Sequence, residues 1–262
     1  MTQRMICATR PAFPATDLMI QKMFASALIA GCAAWLLAAV LHFAFVQKYI
    51  LLGETYETGT AVHFMAKAPV NAADHTHEAG AEAHAHDTGE ATALARNGWT
   101  VLFTGLIYVA YAMILVAGFG LARVYGIGVT AQTGLLWGIA GFVAFQLAPA
   151  LGTPPELPGT PAADLGDRQI WWWFTVAATA TGLALLAYGR GVAFVVLAGL
   201  LLAAPHVIGA PTLDGFGGVA PPEVAAFFAA RVLGVGLAVW ALMGWVAGYA
   251  WERDGAAKPL RT

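Results

Sequence analysis

Charge is scarce in this sequence: Asp, Glu, Lys and Arg make up 11% of its 262 residues, against about 25% in a soluble domain. A chain so poor in charge cannot cover a water-facing surface. Cysteine is scarcer still. The two present, Cys7 and Cys32, are far apart and form no Cys-x-x-Cys pair, which excludes a disulfide framework and a thiolate metal site. The net charge of −2 excludes the basic footprint of a nucleic-acid binder. No Gly-x-x-x-x-Gly-Lys-[Ser/Thr] phosphate loop occurs, so ATP hydrolysis by that route is excluded and no nucleotide cofactor is expected. His-Glu-x-x-His, Cys-x-x-Cys-His and a Ser/His/Asp arrangement in a recognisable local context are missing too. No enzyme is expected. Internal repeats are too weak to argue an inverted-repeat transporter.

What is present is apolar. Hydrophobic residues make up 59% of the chain, which also holds nine tryptophans, the residues that gather where a chain meets lipid headgroups. An all-α, polytopic membrane helical bundle follows. A spanning helix needs roughly 20 mostly apolar residues, and such runs occur at 24–46, 99–121, 132–151, 171–188, 192–209 and 224–250. Only Gly189-Arg190-Gly191 parts the fourth run from the fifth. Together those two are too long for one crossing, even a tilted one. Six spans are expected, with five as the competing count. Ile29-Ala30-Gly31-Cys32 has the form of a lipoprotein processing box. The apolar run continues through Trp35 and Val40 to Phe45, however, so an intact span is expected.

The basic residues alternate with the spans. Arg4, Arg10 and Lys22 precede the first, Arg123 follows the second, Arg190 the fourth, and Arg253, Lys258 and Arg261 the sixth. Short cytoplasmic loops hold the excess of Lys and Arg, so both termini are expected in the cytoplasm of a bacterium, with the bundle in its inner membrane. The opposite loops hold most of the acids, together with Lys48, Lys67, Arg96 and Arg168. The expected organisation is a flexible tail over 1–22, a transmembrane domain over 23–250 with a polar outer loop at 53–98, and a second tail over 251–262.

The outer loop reads Asp74-His75-Thr-His77-Glu78 and then Glu82-Ala-His84-Ala-His86-Asp87. Ala, Gly, Glu and His dominate, and nothing there can build a core, so disorder without metal is expected. Neutral imidazole is the commonest ligand for divalent transition ions, and carboxylates can complete the shell. Two His-x-His pairs on a pliable segment suit capture at the outer face. The plainer alternative is a solubilising linker with incidental histidines.

After the third span comes Pro149-Ala-Leu-Gly-Thr153-Pro154-Pro155-Glu156-Leu157-Pro158-Gly159, then Ala-Asp164-Leu-Gly-Asp167-Arg168-Gln-Ile-Trp171-Trp172-Trp173. Prolines at this density enforce an extended, semi-rigid path. Arg168 is placed to pair with Glu156, Asp164 or Asp167, and the three tryptophans to anchor the outer end of the next helix in an aromatic belt. This stretch strongly resembles the CbtA family, described as a probable cobalt transporter subunit. Ala204-Pro205-His206-Val207-Ile208-Gly209-Ala210-Pro211 and Pro221-Pro222-Glu223-Val224 resemble the family's later segments, and the resemblance covers about residues 23–250. It implies a transported cobalt ion, with nickel or zinc as neighbours in chemistry, and a small single-span partner, CbtB. It also implies five spans, one fewer than the charge alternation.

Depth along the predicted spans adds further candidates. His42 falls near the outer end of the first span, His206 near the outer end of the fifth, and Arg231 about two turns into the sixth. Ionisable residues inside a membrane are rare and functional by default. His42, His206 and Glu156 are therefore expected to build a metal gate, with Pro205 freeing a carbonyl as a further oxygen ligand. Arg231 is expected to pair with Glu156 or Asp164 when the gate is empty. Two other classes fit the same residues. A non-transporting metal sensor or assembly subunit would bind metal without uptake, and a membrane redox protein using His42 and His206 as haem ligands would show a Soret band.

Overall fold

The computed structural model describes residues 15–63, 89–215 and 217–253. His75, His77, His84 and His86 lie outside them. The described residues form helices and short connectors, with no strand among them. The chain enters as α1 (Ala15–Leu41), passes through a π-helical turn at His42–Val46 and continues as α2 (Gln47–Glu57). Next come α3 (Gly89–Val124) and α4 (Ala131–Phe142), then a second π turn at Val143–Leu147 and the short α5 (Ala148–Ala150). α6 (Leu165–Tyr188), α7 (Val192–Ile208) and α8 (Pro222–Arg253) complete the bundle.

The helices outrun the apolar runs that signalled them. α1 begins at Ala15, inside the stretch expected to be a tail, and α2 and α3 take up both flanks of the expected 53–98 loop. Five continuous helical segments are long and apolar enough to cross a membrane: Ile20–Glu57, Thr92–Val124, Ala131–Ala150, Leu165–Tyr188 and Pro222–Arg253. The sixth apolar helix, α7, has 17 residues. It still runs antiparallel along α6. Gly182 of α6 faces Ala198 and Leu202, while at the other end the Trp171 Nε1–H donates to the Pro205 carbonyl at 3.1 Å. The reversal between them needs Gly191, whose φ of 96° is open to glycine and costly for other residues. The chain therefore traverses the bundle six times, with five helices of full length.

α8 is the central helix, packed on α4 and α1, with α3 lying along α1 and reaching α8 through Tyr111 and Phe119. α6 leans on α4, α5 and the second π turn, and among the described helices α7 packs on α6 alone. Lipid tails are as apolar as leucine, so helices in a bilayer associate through close packing rather than hydrophobic exclusion. The α4–α8 seam achieves this with glycine. A Cβ on Gly134 would lie 2.5 Å from the Gly244 carbonyl oxygen, and one on Gly138 would lie 2.9 Å from the Gly244 Cα. α1 does the same with alanine: Ala30, Ala34 and Ala38, one turn apart, are at most 2% exposed.

The connectors sort into two ends. At one, which we call the loop end, Gly53 touches Leu157 and Pro158, Gly159 touches Glu57 and Val219, and Gly217 faces Pro161. The α2–α3 pair is clasped there by Gln47 Nε2–H donating to Asn97 Oδ1 at 2.9 Å and by an Arg96–Glu54 ion pair at 3.3 Å. At the opposite end Thr130 caps α4, and the Ala131 N–H donates to Glu252 at 3.2 Å. Reporter fusions near residues 80, 160 and 215 should therefore share one side of the membrane, and those near 125 and 190 the other. A fusion at 215 that sides with 190 would show that α7 does not cross.

Candidate functional site

The first turn of α6 organises the loop end. Asp164 is its N-cap, with Oδ1 accepting from the Gly166 N–H at 2.8 Å and the Asp167 N–H at 3.2 Å. That bond satisfies backbone donors left open at a helix start and fixes where Arg168 emerges. The Arg168 Nη2 then donates to Glu156 Oε2 at 3.0 Å, with the two side chains 26% and 31% exposed. Glu156 is held from its own side as well. Leu157 beside it is 3% exposed and packs with Val46 and Phe228 in a small core, so the proline-rich segment is pinned as well as stiff.

Trp171, one turn beyond Arg168, is not the headgroup anchor expected of it. It is 5% exposed, gives its indole N–H to Pro205 and lies edge-on to the His206 ring, centroids 6.3 Å apart. Residues 171, 175, 178, 179 and 182 form the buried stripe of α6, and the helical period puts Trp171 at its head. Trp173, 62% exposed, keeps the outward position. His206 is exposed on α7 beside this staple. The Pro205 carbonyl is engaged twice, by Trp171 and by the Gly209 N–H at 3.0 Å; the carbonyl that the proline itself frees is that of Leu201, one turn earlier.

The loop-end arrangement thus gathers His206, Trp171, Arg168, Glu156 and Asp164 around the start of α6. His42 and Arg231 belong to a different face. His42 opens the first π turn, which packs on α8, and meets Phe43 edge-on at 5.4 Å. The Arg231 guanidinium lies over the Phe45 ring at 5.9 Å. The expected pairing of Arg231 with Glu156 or Asp164 is therefore replaced: Arg168 takes Glu156, and backbone amides take Asp164. Among the described residues no three His, Cys, Asp or Glu side chains come together as a metal shell, so His42, His206 and Glu156 do not form one in this conformation.

One polar group escaped the sequence reading. Gln146 sits in the second π turn, between α3 and α8, and its buried Oε1 has no hydrogen-bond partner among the described residues. Tyr108 lies beside it, and Tyr111 meets the ring of Trp240 at 4.9 Å. Trp240 is 1% exposed, and its Nε1 is likewise without a partner. A single amide inside an apolar span was the available signal, and π turns are frequent at functional sites.

Chemically, the α6 group offers a carboxylate paired with Arg168 and partly reached by solvent, and an exposed imidazole on the neighbouring helix. Carboxylate and imidazole are both ligand types for divalent transition ions. No curated protein and no solved structure matches the chain. The family described as "Probable cobalt transporter subunit (CbtA)" matches residues 20–252, nearly the whole length of this multi-pass bundle, and the chain belongs to that family.

Proposed function

We propose that the chain is the membrane subunit through which cobalt, or a related divalent transition metal such as nickel or zinc, enters a bacterial cell across the inner membrane. The observation that carries this reading is the family match over residues 20–252. The loop end is then the outer face and both termini are cytoplasmic, in keeping with the alternation of Lys and Arg. A small single-span subunit of the CbtB kind completes the transporter.

On this reading the work is divided. His75, His77, His84 and His86 concentrate metal, tethered between α2 and α3 at the loop end. Glu156 and His206 at the start of α6 accept the ion, with Arg168 neutralising Glu156 until a cation displaces it. His42, on the π turn, is a second nitrogen station. Imidazole favours cobalt and nickel over magnesium, which prefers oxygen. Asp164 holds the architecture by capping α6. Arg231 serves the seam with α1.

Uptake of labelled cobalt, nickel and zinc by cells with and without the protein tests the reading. Equal uptake in both would leave a membrane metal binder that transports nothing. Changing the four loop histidines to Ala should weaken uptake severalfold at low metal and restore it when metal is raised, since a pliable capture segment raises local concentration without fixing a geometry. A loss that no metal concentration rescues would make the loop an obligatory site instead.

A further inference from the structure

At the loop end, two arginines have carboxylate partners: Arg96 with Glu54 and Arg168 with Glu156. Arg231 and Lys48 do not enter an ion pair among the described residues. Both instead lie over aromatic rings along the seam where the first π turn and α2 meet α8. Arg231 covers Phe45 at 5.9 Å, Lys48 covers Tyr49 at 5.1 Å, and Tyr49 stacks on Phe227 at 6.3 Å, one turn before Arg231. Beneath Arg231 the seam opens into a groove of about 250 Å³, lined by Leu41, Phe45, Ala230, Arg231, Gly234 and Val235. The groove is apolar except for one guanidinium at its edge. Gly234 leaves it open, for a Cβ there would have nothing within 4 Å.

The depth of Arg231 follows from the length of α8. Its 32 residues rise about 48 Å against a hydrocarbon layer of about 30 Å. Centred on the bilayer, the helix projects roughly 9 Å at each end. Arg231 is nine residues past Pro222, or about 13.5 Å along the axis, hence roughly 4–5 Å below the hydrocarbon edge. An arginine at that depth extends its charged end to the headgroup layer while its stem stays apolar. The group it meets there without a protein carboxylate is a phosphate, and a guanidinium binds phosphate with several directed donors.

We propose that the α8–π-turn seam is a binding site for one anionic phospholipid, with Arg231 holding the phosphate and the groove floored by Gly234 holding an acyl chain. The aromatic rings of Phe45, Tyr49 and Phe227 fix the level of the headgroup. The groove has the volume of a stretch of acyl chain. Lys48 supplies a second positive charge on the same seam, which favours an anionic over a zwitterionic headgroup.

The test uses the purified full-length protein in a neutral detergent, with bound lipid read by native mass spectrometry after adding phosphatidylglycerol or phosphatidylcholine. Wild type should retain phosphatidylglycerol about fivefold better, as one basic contact near a headgroup implies. Arg231→Gln should lower retention of both lipids, which share the phosphate, and narrow the preference to what Lys48 alone supplies. Gly234→Leu should lower retention of both by filling the groove. Equal retention of the two lipids by wild type, or an unchanged preference in Arg231→Gln, would overturn the site. So would a copurifying membrane subunit that occupies the seam in place of lipid and is lost with Arg231→Gln. Millimolar inorganic phosphate should not displace the lipid; displacement would make the site one for a free anion. If Arg231→Gln fails to accumulate, Gly234→Leu decides alone, and unchanged lipid retention in that variant refutes the proposal.

Discussion

Cells carrying His206→Ala or Glu156→Ala are expected to lose metal uptake to background, at least tenfold below wild type, at every metal concentration, with the protein still in the membrane. The two side chains belong to one local arrangement. Glu156 is fixed by a pinned proline-rich segment and by Arg168, and His206 stands against Trp171, one turn from Arg168. His206→Ala gives up an edge-on ring contact with Trp171, and Glu156→Ala gives up the ion pair with Arg168; neither touches a buried seam between helices. The link from α6 to α7 is the Trp171 indole bonded to a backbone carbonyl, which His206→Ala leaves alone, and the His206 side chain is exposed. A loss of transport at normal expression would therefore report on the ion and not on folding. Normal uptake by His206→Ala would reduce that histidine to a ring packed on a tryptophan.

A second large effect is expected at the glycine seam, and it is one of assembly. On Gly138 a Cβ would meet the Trp240 carbonyl and the backbone of Gly244, and backbone cannot swing aside as a side chain does. Inserting even one methyl into a tight core costs about 1–3 kcal/mol. Here it must push α4 off α8, the helix on which the bundle is built. Gly138→Ala should lower the thermal stability of the purified protein by several degrees, and Gly138→Leu should leave almost none in the membrane fraction. Gly199→Ala is the matched control, because a Cβ there would meet nothing within 4 Å; its expression and melting should be those of wild type. If Gly138→Leu accumulates normally, the close approach of α4 and α8 is not what holds the bundle together.

The fold class was readable from the apolar runs, and so was the reversal at Gly189–Gly191. Helix limits were not. Hydropathy stops where the hydrocarbon stops, but the backbone beyond it still gains from intrahelical bonds. Glu54 and Arg96 therefore sit on helices and pair across them, although both read as loop. Which end of the bundle each connector lies at was also legible, since it needs only residue counting. Rotation about the bundle was not. By counting, Arg231 falls toward the same end of the bundle as Glu156 and Asp164, which made an ion pair plausible, yet its face of α8 turns toward Phe45. The same limit explains why His42 and His206 fall on different faces. Trp171 is the converse case: the helical period alone separates it from Trp173, whereas composition lumps the three tryptophans into one belt. The π turns at His42 and Gln146 left no mark, because one extra residue in a turn changes register without changing composition.

The modest length of α7 bears on the water around His206. Its 17 residues rise about 25 Å, roughly 5 Å less than the hydrocarbon they must match. Among the described helices α7 packs on α6 alone, so no other of them makes up the difference. The bilayer there must thin, or headgroups must sink toward the helix ends, at a cost of fractions of a kcal/mol per Å. In either case the aqueous boundary is drawn inward at the end of α7 that carries His206. On the proposed transport reading, the imidazole that residue counting assigns to the edge of the apolar slab would be wetted, and a hydrated cation would reach it without first giving up its shell.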